Sequence, residues 1–170
     1  METDFQKSIE LMVQSGVRFV IIGGVAMRLQ GSSHVTDDID FTYSRDPEGL
    51  PGLVATLNHY HVRLRGFPAD LPFFFDLRTL KNTQNLTLVT DVGDIDLLAE
   101  PPGIDSFEGL WERATELDVF GMAVRVASLE DIIAMKQAAG RPKDQQHLLE
   151  LRDLQQYLRN TSSNPDSENA

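Results

Sequence analysis

The sequence predicts an α/β (α+β) fold, and three observations carry that reading. A run over residues 17–22 that is apolar but for Arg18 stops at Gly23-Gly24 and passes into a helical pattern. Two further segments, 38–43 and 94–98, alternate carboxylates with large apolar side chains in the two-residue period of a strand. Helical spacings alternate with these runs and take over toward the end of the chain.

The elements follow in order. Thr3 is the expected cap of a first helix, on which Phe5, Ile9, Met12 and Val13 fall at i, i+4, i+7 and i+8; Gly16 stops it. Residues 17–22 read as a strand buried on both faces, residues 25–30 as a short helix, and Gly31-Ser32-Ser33 as a turn. Residues 38–43 form the next strand. Asp46-Pro47-Glu48 opens a helix with Leu53, Val54 and Leu57 on its apolar side. Between 59 and 81 the pattern weakens to a short strand at 62–64 and a helical piece at 76–80. Phe73-Phe74-Phe75 reads as core or lid packing. Residues 85–90 and 94–98 pair as a hairpin across Asp91-Val92-Gly93. Residues 107–117 are expected to be helical and 119–126 to be a strand pair or one long strand. Ser128 with Asp131 three residues on is a capping-box pattern, and the helix it opens ends at Gly140, with Pro142 beyond. Leu148, Leu151, Leu154 and Leu158 space a last helix. A single domain over 1–159 and a polar, disordered tail over 160–170 complete the expectation.

Composition excludes several classes. With 170 residues the chain can bury a core of its own, and 41% hydrophobic with 24% charged residues describes a soluble globular protein. No segment is long enough to span a bilayer, and the acidic start Met1-Glu2-Thr3-Asp4 lacks the layout of a signal peptide. Neither a membrane association nor export is expected, and the cytoplasm is the expected location. The absence of cysteine removes disulfides, zinc–thiolate sites and cysteine nucleophiles. A net charge of −11 disfavours wrapping a nucleic-acid backbone, which needs clustered Lys and Arg, and suits a site that gathers divalent cations.

Three short segments carry chemistry. Gly23-Gly24, between a buried strand and a helix, lets backbone approach a ligand and presents free N–H groups suited to phosphate. In Asp38-Ile39-Asp40-Phe41 alternation puts both carboxylates on one face and both apolar side chains on the other. Like charges placed so are tolerated at an exposed edge or beside a neutralising cation. In Gly93-Asp94-Ile95-Asp96-Leu97, Asp96 lies between two large apolar residues and can reach the same cation. Asp94 shares its face and competes for the role, Asp96 being preferred for its apolar flanks. Carboxylates of this kind suit Mg²⁺, and two such ions about 4 Å apart promote in-line displacement at phosphorus.

The order Gly-Gly, Asp-x-Asp, then apolar-Asp-apolar resembles the nucleotidyltransferase superfamily with the polymerase-β-like fold. More narrowly, it resembles the small prokaryotic members related to minimal nucleotidyltransferases and AbiEii abortive-infection toxins. Their first block, Gly-Gly, a short helix and Arg-x-Thr-x-Asp-x-Asp, corresponds here to Gly23-Gly24 and His34-Val35-Thr36-Asp37-Asp38-Ile39-Asp40. Residues 129–151, with Met135-Lys136-Gln137 and Gly140-Arg141-Pro142-Lys143-Asp144, resemble the group's lysine-bearing helix and the helix after it. The resemblance spans residues 17–155. It implies a mixed β-sheet flanked by helices, with C-terminal helices, that binds a nucleoside triphosphate, ATP before the others, with Mg²⁺. It implies that Asp38, Asp40 and Asp96 are catalytic metal ligands, that Asp96 helps deprotonate the acceptor hydroxyl, and that Gly23, Gly24, Thr36 and Lys136 hold the nucleotide. Lys136 reads equally well as a solvated helix lysine, and Arg141 and Lys143 as helix-terminal charges or partners of Asp144.

The acceptor can be a protein side chain, an RNA end or a small molecule, and a cognate antitoxin is a possible partner. One departure stands out: the block's arginine is His34 here, mostly neutral near pH 7 and unable to make a bidentate contact. It motivates the alternative of a non-catalytic nucleotide- or partner-binding module of the same fold.

Overall fold

The computed structural model describes residues 1–163. Helix α1 (Phe5–Ser15) is capped by Asp4, whose Oδ1 accepts the N–H of Lys7 at 3.0 Å, and not by Thr3. Thr3 is buried instead, and its Oγ1 accepts the N–H of Asp94 at 3.1 Å, so its hydroxyl ties the N-terminus to a distant strand. Ile9 and Met12 are buried as the spacing predicts, but Leu11 joins them and Val13 faces solvent, so the buried stripe is rotated from the expected one. Gly16 ends the helix in the left-handed conformation.

The chain continues through β1 (Phe19–Ile22), α2 (Gly23–Leu29), β2 (Ile39–Tyr43), α3 (Leu50–His59), β3 (Arg63–Leu64) and α4 (Leu77–Asn82). The hairpin β4 (Asn85–Thr90) and β5 (Gly93–Leu98) follows, then α5 (Phe107–Arg113), β6 (Thr115–Val119), β7 (Met122–Val126), α6 (Leu129–Ala139) and α7 (Pro142–Ser162). Several boundaries differ from expectation: β1 begins at Phe19 and not at residue 17, α2 at Gly23 and not at residue 25, and α3 at Leu50, beyond Asp46-Pro47-Glu48. Residues 115–117 are strand, not helix: α5 stops at Arg113, and Thr115, Glu116 and Leu117 pair with Val126, Arg125 and Val124 of β7. Phe120 and Gly121, both at positive φ, turn that hairpin. Helix α7 runs to Ser162, three residues into the stretch expected as tail; the rest of that expectation, 164–170, lies outside the described residues.

Seven strands make one mixed sheet in the order β3-β4-β5-β2-β1-β7-β6. β2 runs antiparallel to β1 and parallel to β5, and β1 runs parallel to β7. Every residue of β1 is buried, as its unbroken apolar run requires, so both faces of the sheet are covered at its centre. β5 alternates: Gly93, Ile95 and Leu97 are buried, and Asp94, Asp96 and Leu98 are half-buried on a more open face. Phe19 and Phe41 meet edge to face at 5.5 Å in the core, an arrangement worth about 1 kcal/mol beyond the area they bury. Of the three adjacent phenylalanines Phe75 is core and Phe73 packs against it, but Phe74 is 83% exposed. Of the last helix's leucines Leu151 is buried, Leu148 and Leu154 pack at the core's margin, and Leu158 is exposed. No helix among the described residues is long and apolar enough to cross a membrane.

Candidate active site

Strand register assembles the acidic wall. Ile22 pairs with Asp40, Asp40 with Asp96, and Asp96 with Thr87, so one row crosses β1, β2, β5 and β4. Register partners project to one face, and Asp94, two residues before Asp96, shares it. Asp38 precedes the first residue of β2, so strand alternation does not orient it. Thr36 does: its Oγ1 donates to Asp38 Oδ1 at 2.9 Å. The loop carrying Thr36 and His34 is tied to α7, where Glu150 Oε1 accepts from Ser32 Oγ at 2.5 Å and from the N–H of Ser33 at 3.2 Å.

The glycine pair fits against this wall. Gly23 has φ +67°, and a β-carbon there would collide with the Asp40 carboxylate; one on Gly24 would lie 2.8 Å from Thr36 Cβ. Glycine is therefore required to admit Asp40 and Thr36, whatever ligand approaches. The two glycines open α2, whose cap residue Ile22 offers no side-chain acceptor to their N–H groups.

One cavity of about 510 Å³ is lined by all seven residues singled out in the sequence: Gly23, Gly24, Thr36, Asp38, Asp40, Asp96 and Lys136. Asp94, His34, Arg141, Lys143 and His147 line it too. The walls differ in sign, with carboxylates on the sheet side and Lys136, Arg141 and Lys143 on α6 and the start of α7. Between the two candidates for third carboxylate, Asp96 is the less exposed, 17% against 38% for Asp94, and it alone is the register partner of Asp40.

Charge crowding leaves its mark on these groups. Burial, then the charges of Asp38 and Asp96, push the Asp40 carboxyl up to about 7, against the opposing pull of Lys136 and Arg141. Burial also raises Asp96, with Arg65 opposing. Asp144 goes the other way. Burial alone would raise it, but hydrogen bonds from Arg141 and Lys136 outweigh that and hold it at about 2. Its carboxylate is 0% exposed and takes Lys136 Nζ at 3.3 Å, Arg141 Nε at 2.9 Å and the Arg141 N–H at 3.1 Å. Lys136 is thus no solvated lysine: it is 11% exposed, faces the cavity and is committed in part to Asp144.

Sequence reasoning missed three residues here. Arg65 donates to Asp96 at 2.6 Å from the edge of the sheet. Asp144 was visible only as a partner for neighbouring charges. His147 packs edge-on against His34, ring centres 4.4 Å apart, with its Nδ1 buried and unpartnered; burial, then the charges of Lys136 and His34, lower its pKa. Lys143 and His147, four residues apart on one helix, were the available signal.

The carboxylates suit a hard divalent cation in donor chemistry, and burial together with the charges of Asp38 and Asp96 disfavours an ionised Asp40. Among the described residues no three carboxylate or imidazole side chains converge as a finished ligand cage. The side chain standing among the carboxylates is Arg65.

The mixed sheet thus presents a row of carboxylates across a cavity from Lys136, Arg141 and Lys143. The model of the family described as nucleotidyltransferase of unknown function (DUF6036) matches residues 4–157, and the chain belongs to that family of nucleotidyltransferases. Solved structures share the fold. The lincosamide antibiotic adenylyltransferase LnuA, with lincomycin bound, has a TM-score of 0.59 at 12% identity, over 91% of this chain and 99% of that one. The antibiotic-resistance factor ANT(2'')-Ia in solution has a TM-score of 0.54 at 19% identity, over 89% and 83%. The same factor in complex with adenylyl-2''-tobramycin gives 0.51 at 21%, over 89% and 88%. At these identities the likeness is one of fold. No curated protein matches the chain by sequence.

Proposed function

We propose that this nucleotidyltransferase moves a nucleoside monophosphate from an NTP, ATP before the others, to a hydroxyl of a small molecule. The observation that supports it most is the opposition of two walls across one cavity: Asp38, Asp40 and Asp96 face Lys136, Arg141 and Lys143. A triphosphate needs cations, and carboxylates beside it need a cation between, so both walls make sense only together.

In this reading Asp38, Asp40 and Asp96 hold Mg²⁺, which when bound neutralises phosphate oxygens and makes the acceptor hydroxyl easier to deprotonate. The chain's own residues do the rest. The N–H groups at Gly23 and Gly24 face the phosphates, and Thr36 keeps Asp38 oriented through its hydrogen bond. Lys136 and Arg141 draw charge toward the α6–α7 side while Asp144 fixes them. Asp96 takes the proton of the acceptor hydroxyl; its oxygen bonds to the α-phosphorus, the bond to the bridging oxygen breaks, and pyrophosphate leaves.

Two observations favour a small molecule over an RNA end or a protein side chain. The chain carries a net charge of −11, which repels RNA. Two structural neighbours, LnuA and ANT(2'')-Ia, were solved with an antibiotic or its adenylylated form. A toxin–antitoxin role and a cognate antitoxin rest on the resemblance to AbiEii toxins alone, and a cytoplasmic, single-domain protein belongs to the same reading. His34, in place of an arginine and packed on His147, favours a second reading, a nucleotide-binding module without turnover.

Incubation with Mg²⁺, each α-labelled NTP and a panel of hydroxylated acceptors tests the proposal. Label should pass to an acceptor with release of pyrophosphate, and Asp40→Asn should reduce the rate by at least about a hundredfold. Transfer that survives Asp40→Asn overturns the site assignment. Calorimetric binding of Mg²⁺–ATP with no transfer to any acceptor selects the binding-module reading.

A further inference from the structure

Arg65 occupies a position no motif marks. It follows β3 at the sheet edge, and its backbone N–H donates to Thr87 O at 2.9 Å, which extends the row of Thr87, Asp96 and Asp40 by one residue. From there its side chain crosses to the carboxylates. Nη2 donates to Asp96 Oδ1 at 2.6 Å, Nε faces Asp94 Oδ2 at 3.1 Å without hydrogen-bond alignment, and Nη1 lies 3.8 Å from Asp38 Oδ2. One guanidinium therefore faces three of the cavity's five carboxylates, leaving Asp37 and Asp40 without it.

Two of those three, Asp96 and Asp38, are residues assigned above to the metal. A guanidinium always carries its charge and cannot clear the site by losing a proton. It brings one delocalised charge where a divalent ion brings two to the same oxygens. The next residue, Gly66, has φ +79° and open space where a side chain would stand, so nothing crowds Arg65 from that side. The Arg65 side chain is 29% exposed although its Nε is buried, and the exposed part leaves it a route outward.

We propose that Arg65 is a resident counter-cation that competes with the divalent metal for Asp96 and Asp38, so that metal binding requires its guanidinium to withdraw. The inference rests on the metal-site reading above. It follows that bare metal binds weakly to the wild-type chain, because each ion must first displace an ion pair.

Calorimetric titration of the full chain with Mn²⁺, without nucleotide, tests this. Arg65→Gln should bind Mn²⁺ with a Kd lower by a factor of about ten. Arg65→Lys, which keeps the charge and loses the planar fork, should fall between the two. Circular dichroism establishes that each variant is folded, and if Arg65→Gln does not fold, the lysine variant carries the test by tightening Mn²⁺ binding alone. In thermal melts with EDTA, Arg65→Gln should unfold below the wild type, and Mn²⁺ should raise its midpoint by more than it raises the wild type's. Adding Asp40→Asn should abolish the gain in affinity. A folded Arg65→Gln that binds Mn²⁺ no tighter than the wild type overturns the competition and leaves the metal site standing. A gain that survives Asp40→Asn also overturns it, since the ion then sits elsewhere. If neither protein binds Mn²⁺, the competition and the metal site fall together.

Discussion

At Gly23 the backbone takes φ +67°, and the space where a β-carbon would stand is filled by the Asp40 carboxylate. The two residues constrain each other: the glycine lets Asp40 lie flat against the end of β1, and the buried row around Asp40 fixes the turn that only glycine makes easily. Gly23→Ala therefore faces two costs, a left-handed conformation worth about 1 kcal/mol and a displaced carboxylate. We expect urea unfolding to show a loss of about 2–3 kcal/mol, and transfer activity to fall with it because Asp40 must move. Gly16→Ala is the control. Gly16 has a similar φ of +73° but open space beside it, so only the conformational part should appear. Equal losses at the two sites would show that Gly23 is a turn residue and nothing more. Part of this was readable beforehand. The pair Gly23-Gly24 stood out as a break between strand and helix, and Asp38 and Asp40 as carboxylates on a strand. That Gly23 touches Asp40 depends on the register of β1 against β2, which short-range patterns do not contain.

The joint between α6 and α7 is an element held by a single buried charge. Ser128 caps α6 as its spacing to Asp131 predicts, and Gly140 ends it in the left-handed conformation. α7 then begins at Pro142, and Asp144 at its third position folds back on Arg141 while reaching Lys136 on α6. The carboxyl is held at about 2, below its unfolded value of 3.8. A group with a depressed folded pKa stabilises above the unfolded value and loses that contribution as pH falls toward the folded one. The shift corresponds to roughly 2 kcal/mol at neutral pH, disappearing between about pH 4 and pH 2. Asp144→Asn should cost about 3 kcal/mol at pH 7, since Lys136 is left nearly buried without a counter-charge. The deficit should shrink toward pH 2, where the wild type also loses its charge. Chemical denaturation at pH 7, 4 and 2.5 measures it, and a pH-independent deficit would mean that packing, not charge, holds the joint. The cap and stop of α6 were legible because Ser128 acts within three residues and Gly140 closes on Lys136, whereas at α1 the cap fell on Asp4 and not on Thr3. β6 was not: residues 115–117 continue the helical pattern of 107–113, and only pairing with β7 makes them a strand. Arg65 was hidden for the same reason, since Asp94 and Asp96 lie about 30 residues away on β5, beyond the connection through α4 and the strand β4.

Taken whole, the molecule is acidic, and its cavity sets carboxylates against Lys136, Arg141 and Lys143. The alternation of runs and spacings was enough for an α+β sheet flanked by helices, because each central strand buries what its own sequence makes apolar. The acceptor leaves no such trace, since it must be recognised by surfaces brought together from many elements. Net charge still constrains it. A total of −11 makes the approach of any anion unfavourable, and on the proposed function a triphosphate would overcome this at the cavity's cationic wall. An RNA acceptor would bring further phosphates against the remaining acidic surface. On the proposed function a polycationic, hydroxylated small molecule would instead be drawn in, with Asp94 and Asp96, half-buried on the more open face of β5, placed to meet its amines and its reacting hydroxyl. Such attraction acts over about a Debye length, roughly 8 Å at physiological ionic strength, and weakens as salt shortens it. We therefore expect transfer to aminoglycoside-type polycations with a KM that rises several-fold between about 50 and 300 mM NaCl. Neutral acceptors such as simple sugars should show little change in KM over the same range, and RNA 3′ ends should take no label. A neutral acceptor used efficiently and without salt dependence would remove charge from the account of acceptor choice and shift attention to the apolar pocket formed by Leu64, Phe67, Leu71 and Phe73 at the sheet edge beside Arg65.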